Sequence, residues 1–292
     1  MLTILEAAKF KQDPLQQAVV ETFAQTSPVL QYCPFMDVAG SAYQFNLEQT
    51  LPGVTFREIN ATYTESTGVV QHVTENLKVF GGSAKVDRAL VKTQGKEADL
   101  LAVQTMMKAK AAALNFTAAF FKGDVETNAA SFDGMQNRLT GSQVLNMGGA
   151  LTLAKVDELI DAVQGTPTVL FMCKDLRRKV NALMRASGQA TETVADVFGR
   201  QIPAYAGIPI GVIEDDADGN PILGFNETGS TASIYAVRFG AAEYVSGLQC
   251  GELETIDMGI VQSWRQIDIE WIVSFAIFNG KSAARLSGIT AA

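Results

Sequence analysis

The sequence predicts an α+β protein, because helical and strand patterns occupy separate stretches of the chain. Residues 95–123 are dominated by good helix formers and contain no proline or internal glycine. Residues 53–82 and 259–289 are instead rich in β-branched, aromatic and alternating polar residues. Residues 150–250 alternate helix-like and strand-like segments. This is typical of an α/β portion inserted between the long helix at 95–123, here called the spine, and the closing strands at 259–289.

The composition points to a surface that is covered by neighbours. Hydrophobic residues make up 47% of the 292 residues and charged residues only 18%. The net charge of −8 argues against a general positive field for gripping nucleic acid. One basic segment is better explained as a solvated helix face than as a binding patch. Its residues are Lys174, Arg177, Arg178, Lys179 and Arg185.

The cysteine pattern and the N-terminus predict a protein made in a reducing, intracellular compartment. Cys33, Cys173 and Cys250 are widely spaced and form no CxxC pair, which argues against a disulfide framework or structural zinc. The N-terminus lacks the pattern of a secretory signal, and no run of about 18 apolar residues occurs. We therefore expect no membrane partner.

The N-terminal region predicts one helix followed by one strand. Asp13 as N-cap, Pro14 at the first helical position and Gln16 form a helix start, and the helix runs to Gln25, before Ser27-Pro28. Apolar residues alternate over residues 41–50, as in a half-buried strand.

Residues 53–82 predict a long two-stranded β arm with a turn near residues 65–68. An isolated hairpin is marginally stable in water, so the arm should lie on the rest of the chain or on a neighbouring copy.

Residues 95–123 predict a spine helix of roughly 27 residues and roughly 40 Å, ended by Gly123 at the C′ position. Its apolar residues occupy more than one face, so we expect packing on several sides. These residues are Leu100, Leu101, Val103, Met106, Met107, Leu114, Phe116, Phe120 and Phe121.

The inserted portion predicts helices at 153–165, ended by Gly165, and at 175–187, with Asp175 as N-cap. Strands are predicted at residues 166–174, 206–214 and 232–240.

The acidic stretch 214–227 has oxygen-bearing side chains at the spacing of a calcium loop. Asp216, Asp218, Asn220 and Glu227 take loop positions 1, 3, 5 and 12. Pro221 stands where the loop needs glycine, and the flanks are strand-like. We therefore predict a hairpin tip that joins two antiparallel strands.

The sequence offers no catalytic constellation. His72 is the single histidine and lies in the arm, away from any predicted cleft. Gly280-Lys281-Ser282 lacks the earlier glycine and the following helix of a phosphate-binding loop. The i,i+2 carboxylate pairs Glu252/Glu254 and Asp268/Glu270 fit ordinary solvent-facing strand positions. We expect no enzymatic activity and no cofactor.

Four segments together resemble the major capsid proteins of tailed bacteriophages. They are FFKGDVETNAASFDGM, AYAGIPIGVIEDD, IYAVRFGAAEYVSGLQ and IEWIVSFAIFNGKSAARLSGI. The order of arm, β loop, spine, inserted portion and closing strands is similar over residues 14–289. The resemblance implies a capsid fold divided into a set of regions. They are an N-terminal arm (1–52), an extended β loop (53–82), a peripheral domain (83–145 and 251–292) and an axial domain (146–250).

The resemblance also implies a structural function. Copies would form hexamers and pentamers of an icosahedral head around double-stranded DNA, which they would contact weakly and non-specifically. A scaffolding protein and a portal would be partners, and the virion would assemble in the host cytoplasm. An encapsulin-type nanocompartment shell is the nearest alternative, and a soluble α+β hydrolase is a more distant one.

Candidate interface residues follow from the same resemblance. On the arm they are Arg57, Glu58, Tyr63, Glu65 and His72. In the axial domain they are Asp215, Asp216 and Asp218. Symmetry would gather the axial carboxylates at the capsomer centre, where Asp216 and Asp218 form a weak candidate ring for a cation.

Assembled particles are expected to contain no isopeptide crosslink between subunits. Some members of the family form a Lys–Asn bond with a lysine on the extended loop, but the loop tip here carries none and Lys78 lies near the base. A denaturing gel of particles should therefore show a single monomer band, and a covalent ladder would contradict this expectation.

Overall fold

A computed structural model describes residues 18, 19, 22, 23, 26–87, 89, 97–188, 190, 192–195, 199 and 201–291. Its helices are α1 (Pro28–Tyr32), α2 (Glu97–Lys122), α3 (Met135–Arg138), α4 (Leu153–Asp161) and α5 (Lys174–Ala186), with a 3₁₀ turn at Gly141–Gln143. Its early strands are β1 (Phe35–Asp37), β2 (Ala42–Thr50), β3 (Val69–Asn76), β4 (Lys78–Asp87), β5 (Val144–Gly149), β6 (Val169–Cys173) and β7 (Glu192–Ala195). Its later strands are β8 (Gln201–Tyr205), β9 (Ile208–Ile213), β10 (Ala232–Val237), β11 (Val245–Gln249), β12 (Glu254–Val261), β13 (Trp264–Ile277) and β14 (Ala283–Ile289).

The first of two large sheets is organised around β13, which has 14 residues. Strand β4 pairs antiparallel with one side of β13, from Trp264 to Val273. On the other side, β12 and β11 pair with successive parts of β13, and β1 runs parallel to β11. Long central strands of this kind become buried on one face, here through Ile267, Ile269, Trp271 and Val273.

The second sheet has seven strands in the order β5-β14-β10-β6-β9-β8-β7. The central strands β6 and β10 are buried along their whole length, which is why they are continuous apolar runs. Strand β6 runs parallel to β9, so this part of the sheet has the α/β character that the alternating sequence pattern predicts. Helices α4 and α5 contact this sheet.

The spine helix α2 joins the two sheets through aromatic side chains in its last two turns. Phe116 lies 5.3 Å from Trp271 and Phe120 lies 4.6 Å from Phe275, measured between ring centres, and both partners belong to β13. Phe121 lies 5.1 Å from Tyr235 on β10 of the other sheet. One continuous core therefore underlies both sheets. No helix among the described residues is long and apolar enough to cross a membrane.

The first half of α2 is packed on one side only. Leu101 is buried against Val86 and Ile267, whereas Val103 and Met107 are more than half exposed. Within one chain, therefore, only the C-terminal half of α2 packs on several sides as predicted.

The arm is a separate two-stranded sheet, in which β2 pairs antiparallel with β3. Its strands are therefore Ala42–Thr50 and Val69–Asn76, and residues 51–68 form the tip without strand structure. The predicted turn near 65–68 within 53–82 is wrong, because the second strand of that prediction, β4, pairs with β13 instead. The strand predicted over 41–50 is confirmed.

The late strands divide between the sheets differently from the predicted regions. Strand β14 lies between β5 and β10 in the seven-stranded sheet, although residues 251–292 were grouped with the spine. Strand β11, within the range 146–250, pairs with β13 in the five-stranded sheet. Strand pairing brings distant segments together, and a local pattern does not specify the partner.

Several local predictions need correction. Helix α5 begins at Lys174 after an N-cap at Cys173, so Asp175 lies in its first turn and does not cap it. Helix α1, with Pro28 in its first turn, is an addition to the prediction. Asp13, Pro14 and Gln16 lie outside the described residues. Of the helix predicted after them, residues 18, 19, 22 and 23 are described and helical.

Gly123 follows α2 as predicted, but a close approach of backbone, rather than a positive φ, explains the glycine. A Cβ at Gly123 would lie 2.5 Å from the carbonyl oxygen of Ala119 and closer still to that of Phe132. The Gly123 amide and carbonyl also hydrogen-bond to Ala119 and Gly134 at 2.8 Å, so the backbone has little room to shift.

The substitution Gly123→Ala should destabilise the protein by about 1–3 kcal/mol, because the added methyl group overlaps backbone atoms. Urea unfolding of the unassembled chain measures this difference. The matched control is Gly149→Ala, where an added Cβ meets no atom within 4 Å and φ is not positive. The control should stay within about 0.5 kcal/mol of wild type. Equal effects of the two substitutions would contradict the steric explanation.

Candidate assembly surfaces

The arm tip, residues 51–68, is the most exposed apolar part of the described chain. Val54 and Ile59 are each 92% exposed, and Phe56 is fully exposed. Leu51 and Tyr63 add to the same segment at 78% and 67%. Isolated exposed apolar residues are common, but a cluster at the end of a projecting arm marks a contact surface.

Internal contacts give the arm tip a defined shape. The amide of Gly53 donates to Ser66 Oγ at 2.8 Å, which closes the base of the tip. Arg57 donates to the carbonyl oxygen of Ala61 at 3.1 Å, and its guanidinium lies 5.0 Å from the ring centre of Tyr63. The cation–π contact and the hydrogen bonds restrict the conformation of the loop, on which Phe56 is fully exposed.

The arm residues selected from the sequence all lie in the exposed part of the arm. Arg57 and Tyr63 contact each other, and the carbonyl of Glu58 accepts a hydrogen bond from Arg57. Glu65 is exposed on the tip, and His72 is exposed on β3 opposite Asn46. The apolar residues Val54, Phe56 and Ile59 were missed. The signal was present, because a segment with no core of its own has no internal reason to carry them.

The arm base is held to the body by one face of its ribbon. Tyr43 and Phe45 pack on Phe278, with the Phe45–Phe278 ring centres 4.7 Å apart. Glu75, directly opposite Tyr43 in the ribbon, makes a two-pronged ion pair with Arg138 of α3. Alternation along β2 and β3 places these residues on the face turned toward the body.

A second apolar surface lies on β12 and the start of β13. Ile256, Met258, Ile260, Val261 and Trp264 are all between 39% and 59% exposed. Strand β12 pairs with β13 on one side only among the described residues, so its outer edge is open. An exposed apolar edge strand of this kind offers unpaired backbone groups with which another chain can pair.

The acidic stretch forms a tight turn rather than a metal loop. Asp216 Oδ1 accepts hydrogen bonds from the amides of Asp218 and Asn220 at 2.9 and 2.8 Å, and Gly219 has a φ of +83°. These hydrogen bonds lower the pKa of Asp216, and the one from the Asn220 amide has the largest effect. Asp215 pairs with Pro221 in an isolated bridge, and residues 222–226 form no strand. The predicted turn is present, but it does not join adjacent strands, because β6 lies between β9 and β10.

Glu227, counted as the twelfth position of the loop, instead forms a buried ion pair away from the turn. Its carboxylate is 93% buried and accepts hydrogen bonds from Ser233 at 2.7 Å and Arg285 at 2.8 Å. Within the described part of the chain, no group of three or more His, Cys, Asp or Glu side chains is placed to hold a metal ion.

Three basic side chains of α5, Lys174, Arg178 and Lys179, have protein partners. Lys174 pairs with Glu214 at 2.9 Å and Arg178 with Asp175 at 2.8 Å. Lys179 donates to the carbonyl oxygen of Thr290 at 3.1 Å. These contacts fit the interpretation of a solvated helix face.

Comparison with known proteins identifies the fold. Residues 11–152 match the family described as major capsid protein GP7. No curated protein matches the sequence.

Solved structures show the same fold over most of the chain. The holo-SrpI encapsulin complex from Synechococcus elongatus PCC 7942 is 16% identical, with a TM-score of 0.68 over 90% of this chain and 87% of that chain. The capsid of a native GTA particle is 14% identical, with a TM-score of 0.62 over 91% of each chain. The Mycobacterium phage Bobi structure is 15% identical, with a TM-score of 0.62 over 89% of each chain. The resemblance to major capsid proteins and the α+β capsid fold predicted from the sequence are confirmed.

Asp216→Ala should speed hydrogen exchange at the amide of Asn220 several-fold, because it removes the acceptor that organises the turn. The control Asp218→Ala removes a neighbouring carboxylate and keeps that acceptor. In wild type the pKa of Asp216 is lowered, so protection should persist at neutral pH and be lost as the pH falls through that lowered pKa. Exchange resolved by nuclear magnetic resonance and corrected for intrinsic rates measures both effects. Similar exchange in the two variants would contradict the assignment of Asp216 as the organising residue.

Proposed function

We propose that this chain, which shares the capsid fold and resembles major capsid proteins in sequence, is the structural subunit of an icosahedral shell. Its copies form hexamers and pentamers that enclose double-stranded DNA in a virion. The observation that carries the proposal is the arm, which projects from the capsid fold and ends in the exposed apolar residues Val54, Phe56 and Ile59. The protein is structural rather than catalytic.

The arm tip is the main contact between copies in this proposal. Burying a Phe, Ile or Val side chain fully contributes about 1.5–3 kcal/mol each. The tip therefore gains enough from a neighbour to offset the cost of ordering an exposed loop. The apolar β12 edge and the exposed side of α2, with Val103 and Met107, are surfaces of suitable character to receive a neighbour.

The proposed regions follow the sheets. The five-stranded sheet with α2 corresponds to the peripheral domain, and the seven-stranded sheet with α4 and α5 corresponds to the axial domain. The Asp215–Asp218 turn then lies at the capsomer centre, where symmetry repeats Asp215, Asp216 and Asp218 and can hold a cation weakly. Scaffolding protein and portal are partners during assembly in the host cytoplasm. The net charge of −8 keeps contact with packaged DNA weak and non-specific.

An encapsulin-type shell is the second candidate, supported by the likeness to the Synechococcus encapsulin complex. Both candidates predict closed shells, and they differ in content. A protein cargo would favour the encapsulin function, and a shell that packages double-stranded DNA favours the capsid function.

Negative-stain electron microscopy of the purified chain should show capsomer rings or closed shells. The substitution Phe56→Ser should reduce assembly at least tenfold, which corresponds to a loss of about 1.4 kcal/mol per contact. Its thermal unfolding should stay unchanged, because Phe56 touches no core residue. Phe56→Tyr keeps the ring and should still assemble. A stable monomer or dimer of the wild-type chain under all conditions would overturn the proposal.

A further inference from the structure

We propose that the ion pair between Glu75 and Arg138 sets the angle at which the arm leaves the body, and that Arg138 is a positioning residue for assembly. The inference rests on the proposed function, since the arm angle matters where the tip must reach a second copy. Neither side chain is exposed, and neither belongs to the apolar arm tip or to the β12 edge. Their contribution would act through the position of the arm.

The arm crosses into the body at two points only. On one strand the connection passes through Gly40, which has a φ of +103°. On the other, Leu77 alone separates β3 from β4, and its amide donates to the carbonyl oxygen of Ser41 at 2.8 Å. These adjacent connections, residues 38–41 and Leu77, form a hinge, because backbone rotation there turns the whole ribbon without breaking its internal ladder.

The body side of the ion pair is rigid. Arg138 Nε donates to the carbonyl oxygen of Asp133 at 2.6 Å, and the guanidinium lies 4.4 Å from the ring centre of Phe275, which is fully buried. These contacts fix the guanidinium plane before it meets the arm. Both amino groups then point toward Glu75 on β3.

On the arm, Glu75 binds the Arg138 guanidinium two residues before Leu77 of the hinge. Both Glu75 carboxylate oxygens accept from Arg138, and the two side chains are only 14% and 13% exposed. A two-pronged Arg–carboxylate pair fixes orientation as well as distance. Lys78, on the other side of Leu77, donates to the carbonyl oxygen of Ala129 at 2.7 Å and braces the same junction.

The length of the arm amplifies any change at its base. Strand β2 has nine residues, which span roughly 30 Å at about 3.3 Å per residue. A rotation of roughly 10° at the hinge therefore moves the tip by roughly 5 Å, enough to displace Phe56 from a fitted site. On β2, the packing of Tyr43 and Phe45 on Phe278 also restricts movement of the arm. These aromatic contacts do not fix its direction as a two-pronged ion pair does.

The test compares Glu75→Gln and Arg138→Lys with the control Glu158→Gln. The first variant removes the charge, and the second keeps it while losing the two-pronged geometry. Glu158 pairs with Lys155 on α4 and does not contact the arm. Hydrogen exchange of the unassembled chain reports on β2 and β3, thermal unfolding reports on the body, and electron microscopy reports on assembly.

Both pair variants should speed exchange in β2 and β3 at least threefold, leave exchange in β13 unchanged, and give fewer or misshapen shells than Glu158→Gln. Exchange and assembly equal to the control would overturn the proposal. Faster exchange throughout the body would also overturn it, because the pair would then serve general stability. If wild type does not assemble at all while the arm alone loosens in the variants, the ion pair holds the arm and the proposed function is wrong.

Discussion

Phe116, Phe120 and Phe121, in the last two turns of the spine helix, are the contacts on which the remaining architecture depends. Phe116 and Phe120 pack on β13, and Phe121 packs on β6 and β10, so two sheets with no shared strand have one core. Aromatic pairs at these distances add to the large area that each ring buries.

The arm is outside this core, and that position explains its composition. The core is completed by the spine, the two sheets and helices α4 and α5, so no internal surface remains for Val54, Phe56 or Ile59. The ribbon is attached through one face, by Phe278 and Arg138, while its tip is structured by Arg57 and Ser66. The molecule thus combines a rigid body with one projecting element that has its own shape.

Local sequence features predicted the elements well, and non-local pairing was predicted poorly. The end of the spine helix at Lys122, before Gly123, was predicted correctly, because helix propensity is a property of a short stretch. Strands β6, β9 and β10 were also found as short apolar runs. The partner of β3 was assigned wrongly, since β2 and β4 have equally strand-like patterns and only the tertiary structure selects between them. Glu227 was misplaced for the same reason, because its partner Arg285 lies 58 residues away. At the candidate surfaces, the sequence identified the arm and the acidic turn but not the apolar tip residues or Arg138.

The order of strands along the chain also constrains when a subunit can fold. Strand β13 is the centre of one sheet and β14 separates β5 from β10 in the other, yet they are the last two of the described strands in the sequence. During synthesis, neither sheet can close until these two strands have left the ribosome. Nascent or truncated chains therefore lack the two complete sheets to which the arm is attached. Under the proposed function, an incomplete chain has no complete surface with which to join and block a growing shell.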